Sequence, residues 1–125
     1  MKAVLLSIKP EFAHKILEGA KKFEFRKKIF KDSFIKKVIV YSSWPEQKVI
    51  GEFEIASILN GTPDKIWEQT KVHSGITQEF YNDYFKGRGK AYAIKIASIK
   101  KFHKPKYLVD YNIHSAPQSF AYVNV

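Results

Sequence analysis

Apolar and polar residues change rhythm several times along the 125-residue chain, and each rhythm predicts an element. Ala3 to Ile8 (AVLLSI) is an unbroken apolar run, the pattern of a strand covered on both faces, and predicts a central strand. Pro10 suits the first turn of a helix, Phe12, Ile16 and Leu17 share one helical face, and Gly19 supplies a left-handed end. Residues 10–18 therefore predict a short amphipathic helix. KKFEFRK then alternates with period two, which sets Phe23 and Phe25 on one face of a strand and Lys22, Glu24 and Arg26 on the other.

Lys36 to Ser42 and Val49 to Leu59 predict two further strands joined through SWPEQ, with Gly51 marking a bulge or a close approach. Thr62-Pro63-Asp64 starts a helix that runs to about Thr70 and packs Ile66 and Trp67 inward. Beyond HSG, Thr77 caps a second helix, which Gly87 ends. Ala91 to Lys100 alternates as a strand, and Pro105 and Pro117 frame an irregular tail that finishes in a closing strand, SFAYV. This order predicts an α+β fold with a mixed sheet. So many strands in so short a chain point to a small curled β-barrel flanked by short helices, as one domain over residues 1–125.

Composition narrows the chemistry. With no cysteine, thiolate zinc, disulfides and thiol nucleophiles are excluded, and the cytoplasm is the expected compartment. The N-terminus fits a first strand better than a secretory signal, and no apolar run approaches the roughly 20 residues that span a bilayer. The net charge of +10 is uneven: residues 1–37 carry +7 and residues 86–106 carry +8, while residues 38–85 carry −4. Two basic blocks around an acidic middle attract a polyanion, which makes nucleic acid the leading partner class. The alternative is that the lysines merely solubilise an aromatic-rich domain, and on either reading a monomer is expected.

GAKKFEFRKK, residues 19–28, holds one acid among five cations. A guanidinium at Arg26 forks onto a phosphate or a base edge, and a carboxylate at Glu24 accepts from a base amino group. A patch that binds only phosphate gains nothing from an acid, whereas a pocket that reads a base edge does. The competing reading is an outward ion pair on an exposed strand. Lys27 extends the same patch. Ser42, Ser43 and Trp44 form a strand exit suited to phosphate contact and base stacking, or to a hydrophobic plug, while Trp67 reads as core. Gln118 and Ser119 are polar between Pro117 and Phe120 and suit a base edge or a backbone tie. Phe80, Tyr81, Tyr84 and Phe85 recur at helical spacing and read mostly as core. None of the four histidines shows metal-ligand spacing, so neither metal nor cofactor is expected.

Gly19, Lys21, Glu24 and Arg26 fill the four fixed positions of G-x-K-x-x-E-x-R, and in this the chain resembles the ASCH domains, relatives of the PUA-like RNA-binding barrels. The resemblance extends through VIGEFEI, SGITQEFYNDYFKG, AYAIKI and APQSFAYV to the small single-domain prokaryotic and phage subfamily. It implies a five- or six-stranded barrel whose cleft, lined by the signature residues, binds RNA or a modified nucleotide in RNA metabolism or transcription-linked regulation. It also implies an enzymatic alternative, since one branch removes acetyl groups from acetylated cytidine and another group cleaves RNA. The deacetylating branch is matched at Lys21 and Arg26, but this chain has Glu24 in place of its threonine nucleophile and His73-Ser74-Gly75 where it has an acid. A ribonuclease would use Lys21, Glu24 and Arg26 as catalytic groups, Glu24 activating a ribose hydroxyl beside the two cations. A third reading makes the domain an adaptor whose basic blocks meet DNA or an acidic protein.

Overall fold

The computed structural model describes residues 1–125. In chain order it contains β1 (Lys2–Ile8), α1 (Pro10–Leu17), β2 (Phe23–Arg26), β3 (Lys37–Ser42), β4 (Lys48–Gly61), α2 (Pro63–Thr70), α3 (Gln78–Tyr84), β5 (Ala91–Lys106) and β6 (Phe120–Asn124), with short 3-10 turns at Lys71–His73 and Leu108–Tyr111. The local punctuation acts as its chemistry dictates. Pro10 and Pro63 open α1 and α2, while the Thr62 and Thr77 hydroxyls accept from the Lys65 and Phe80 amides. Gly19 and Gly87 take φ of +84° and +76° beyond their helices.

The mixed α+β sheet and its flanking helices are as the sequence predicts. The six strands run β2-β5-β4-β3-β1-β6, and β1 with β3 is the parallel pair in an otherwise antiparallel ladder. Two expectations are corrected. The sheet is not closed into a barrel, because β2 and β6 are edges without a ladder between them. Arg26 at the end of β2 instead reaches the Ser7 carbonyl of β1 and the Ser119 carbonyl beside β6, so a side chain spans the gap that backbone bonds leave open. β1 is also second from the edge and not central.

The β1 apolar run is covered on both faces for the reason its pattern suggests. Val4, Leu6 and Ile8 join Val38, Val40 and the α1 residues Ala13 and Ile16 in one core, while Ala3 and Leu5 join Ile39, Tyr41 and Val49 in another. That second core is covered by Phe102 and by Leu108, Tyr111 and Ile113 of the tail, which therefore packs as a structural cover. Each fully buried aliphatic side chain contributes about 1.5–3 kcal/mol relative to exposure. A third core sets Phe23 and Phe25 against Ile66 of α2, Tyr81 of α3 and Phe85 at the end of α3, with Trp67 packed at its side.

β5 runs six residues beyond the predicted Lys100 and carries Pro105. This is permitted because β2 pairs with β5 only as far as Lys95, so the distal half of β5 is an edge, and residues 102–105 fall in a register shift opposite β4. Gly51 fulfils both expectations for it: the β3–β4 register shifts beside it, and a β-carbon there would stand 2.6 Å from both a Leu17 methyl and the Lys100 carbonyl oxygen. No helix is long and apolar enough to cross a membrane.

Candidate nucleic-acid site

The turn after α1 aims Lys21. With Gly19 in the left-handed region, the Ala20 and Lys21 amides both donate to the Lys15 carbonyl, and Lys22 N–H donates to the His73 carbonyl. The Lys21 side chain passes beneath the segment after α2 and is 2% exposed. Its Nζ donates to the Ser74 carbonyl at 2.8 Å and lies 4.6 Å from the Phe25 ring centroid and 5.5 Å from that of Phe12. Burial pulls the Lys21 ammonium down to about 8, against the opposing charge of Glu24 and with help from the like charge of Lys15. Gly75 makes this closeness possible: its φ is +71°, and a β-carbon would stand 2.5 Å from Lys21 Cβ and Cγ.

β2 is buried on both faces, unlike the half-exposed strand that alternation alone suggests. The phenylalanines meet α2 and α3, while Glu24 and Arg26 turn toward the gap between β2 and β1. Arg26 Nη1 donates to Glu24 Oε2 at 3.1 Å and to the Ser7 carbonyl at 3.2 Å, and Nη2 donates to the Ser119 carbonyl and hydroxyl at 3.0 and 2.8 Å. The fork is thus occupied by acceptors of the protein itself. Glu24 is held through one oxygen, and its Oε1 makes no hydrogen bond within the protein. The pair is buried and not the outward surface pair of the simpler reading.

These groups open onto a cavity of about 300 Å³, at the small end of ligand sites. Its polar lining includes Lys21, Glu24, Arg26 and Gln118, and its apolar lining includes Phe12 and Phe80, an edge-to-face pair with centroids 5.0 Å apart. Lys9 lies over the Phe80 ring at 5.2 Å. Tyr84 completes the lining, and burial raises its phenol above the ordinary value. The arrangement offers a carboxylate acceptor, a buried ammonium and aromatic surface to one small ligand.

Four residues singled out in the sequence therefore converge: Lys21, Glu24, Arg26 and Gln118. Ser119 acts behind them, through Arg26. Lys27 stands beside the cavity, its ammonium 4.7 Å over the Tyr84 ring. Lys22 is exposed and does not line the cavity. Ser42 is fully buried, and Ser43 ties its amide to the Ile8 carbonyl; neither lines the cavity. Trp44 also lies outside the lining and is 76% exposed, so it plugs nothing.

Sequence reasoning missed Gly75, Ser74 and the cavity role of Phe12, Phe80 and Tyr84. A signal for the last two exists in the Thr77 cap, which fixes the phase of α3. Phe80 and Tyr84, four apart, then share the face beside the cavity, while Tyr81 and Phe85 share the core face. No three His, Asp or Glu side chains are grouped to hold a metal ion. His14 instead pairs with Glu46 at 2.8 Å.

The ASCH domain family model matches residues 6–103. Among curated proteins, the large ribosomal subunit protein uL22 of Ureaplasma parvum is 29% identical over 120 residues, 96% of this chain and 39% of that protein. The ATP synthase subunit alpha of the same organism is 31% identical over 96% of this chain and 15% of its own length. An ASCH domain-containing ribonuclease of Zymomonas mobilis is 32% identical over 92 residues, 74% of this chain and 62% of the enzyme. The chain thus spans less than two thirds of each of these relatives. The crystal structure of ASCH from Zymomonas mobilis superposes with a TM-score of 0.89 at 26% identity, covering 98% of this chain and 87% of that one. A tyrosine-to-phenylalanine variant of the same protein gives 0.90 at 26% identity, covering 99% and 91%.

Proposed function

The chain belongs to the ASCH domain family, and from that premise we propose that it binds single-stranded RNA or a modified nucleotide, taking one base into the cavity beside β2. The observation that carries this reading is the Glu24 carboxylate at the edge of an aromatic cavity that Lys21 shares, its Oε2 held by Arg26 and its Oε1 left free. A base lies against Phe12 and Phe80, its amino group donates to Glu24, and Lys21 directs its remaining protons to a base carbonyl or a phosphate. Arg26 serves as a positioning residue, since its fork is occupied. The basic blocks at residues 1–37 and 86–106 steer the phosphate backbone.

RNA binding measured across salt concentrations tests this. Affinity should fall with a log–log slope of roughly −0.7 per phosphate neutralised, and Glu24→Gln should weaken binding of amino-bearing bases more than of uracil. Affinity that ignores both salt and Glu24→Gln refutes it.

A second reading is ribonuclease action, favoured by the ribonuclease-named relative and by the buried amine of Lys21. Glu24 would accept the 2′-hydroxyl proton, the freed oxygen would bond to phosphorus, and Lys21 would return a proton to the departing 5′-oxygen, leaving a 2′,3′-cyclic phosphate. Mass spectrometry of incubated RNA tests it, because cyclic-phosphate ends must form with the wild type and disappear with Lys21→Ala. Deacetylation is not favoured. Residues 73–75 offer carbonyls to Lys15, Lys21 and Lys22 and no carboxylate.

A further inference from the structure

A second concavity of about 440 Å³ lies between α1 and residues 71–77, and it shares Phe12, Ile76 and Phe80 with the first. The two are neighbours across one aromatic partition. Glu11 and Lys15 are four apart on α1 and Phe12 and Lys15 three apart, so α1 turns its aromatic ring and an ammonium to the same groove. Across the groove stands Lys71. Both ammonium groups are lightly held. Lys15 Nζ is 3.6 Å from Glu11 and 3.3 Å from the Gly75 carbonyl, while Lys71 pairs with Glu68 one turn away at 2.8 Å on an exposed surface. Such exposed pairs yield readily to a stronger anion. Lys15 is also close enough for its charge to act on Lys21. Three cations thus run from the first cavity into the second, opposed within the groove by one carboxylate, Glu11.

We propose that this groove is a second subsite, which holds the phosphate of the nucleotide adjoining the base in the first cavity through Lys15 and Lys71. The substrate class is then an oligonucleotide and not a free nucleoside or mononucleotide. The inference rests on the base-binding reading above. A strand that places a base against one side of the Phe12–Phe80 pair continues past its edge, and the next phosphate meets the ammonium groups on the far side. Phosphate suits the site because two cations on flexible stems bind it as point charges and demand no planar match.

Calorimetry on the full chain with the four ribonucleoside 5′-monophosphates and the four matching ribo-homotrimers tests the proposal, using wild type, Lys71→Glu and Lys65→Glu. Lys65 is an exposed α2 lysine outside both cavities and reports the effect of charge alone. The expected result is a trimer at least tenfold tighter than its monophosphate. Lys71→Glu should remove most of that excess, flatten the trimer salt slope by roughly 0.7, and leave monophosphate affinity within about twofold. Lys65→Glu should leave the excess in place. Trimers no tighter than monophosphates, or equal losses from Lys71→Glu and Lys65→Glu, overturn the subsite while the base cavity stands. If neither ligand class binds the wild type, the cavity reading falls with it.

Discussion

Gly75 and Lys21 are locked together: a β-carbon on Gly75 would stand 2.5 Å from two carbons of the Lys21 stem. The residue before the glycine offers its carbonyl to Lys21 Nζ, so the same three-residue loop both packs the lysine stem and satisfies its charge. The site therefore depends on a loop 53 residues away in sequence.

Gly75→Ala should damage both stability and site. Alanine at φ +71° carries backbone strain of about 1–3 kcal/mol, and the clash falls on the rigid start of the lysine stem. Urea denaturation should show the loss of stability, and the variant should also bind RNA more weakly at temperatures where it remains folded.

Lys21 should give the protein a distinctive alkaline response. Its folded-state value, about 8, lies below the ordinary 10.5, so between those values the unfolded chain holds more protons than the folded one. Stability attributable to Lys21 therefore rises with pH across that window, by about 3 kcal/mol at most. Tyr81 and Tyr111, raised to about 12 by burial, act oppositely above pH 10, because their unfolded phenols ionise first. Subtracting the denaturation profile of Lys21→Met isolates the lysine, and the difference should climb from pH 8 upward. Anionic ligands held by the ammonium should bind more weakly over the same range.

Arg26→Ala should be among the most destabilising single changes near the site. It strands the buried Glu24 carboxylate and removes the bridges to Ser7 and Ser119, an expected loss of about 3–5 kcal/mol. Arg26→Lys should not rescue it, because one ammonium cannot replace a fork that makes four bonds in a fixed plane. Glu24→Gln should be milder, since the amide oxygen still accepts from Arg26. Thermal melts of the three variants should rank Glu24→Gln as the most stable.

Gly51→Ala separates fold from site. Its β-carbon would meet the Lys100 carbonyl at 2.6 Å, and this backbone atom is held in the β4–β5 ladder. A loss of about 1–3 kcal/mol is expected. RNA affinity of the folded fraction should remain unchanged, because Gly51 touches neither cavity.

What the sequence by itself determined was local. Pro10, Thr62, Thr77, Gly19 and Gly87 act on backbone groups within a turn or so, and the two faces of β1 follow from the alternation of its own side chains, so these were legible residue by residue. The signature residues could be singled out because an acid among cations is chemically unusual wherever it falls. Only the tertiary structure decided what Glu24 and Arg26 face. The guanidinium meets acceptors 19 and 93 residues away, and alternation, which reports only that a strand has two faces, cannot say that both are covered. It also decided that the sheet stays open, since closure depends on whether β2 reaches β6, and four residues of β2 leave that gap to a side chain. Lys22 and Lys21 show the division most plainly: adjacent in the chain and alike in chemistry, one is exposed and the other buried, because a single turn after α1 places only Lys21 beneath Gly75.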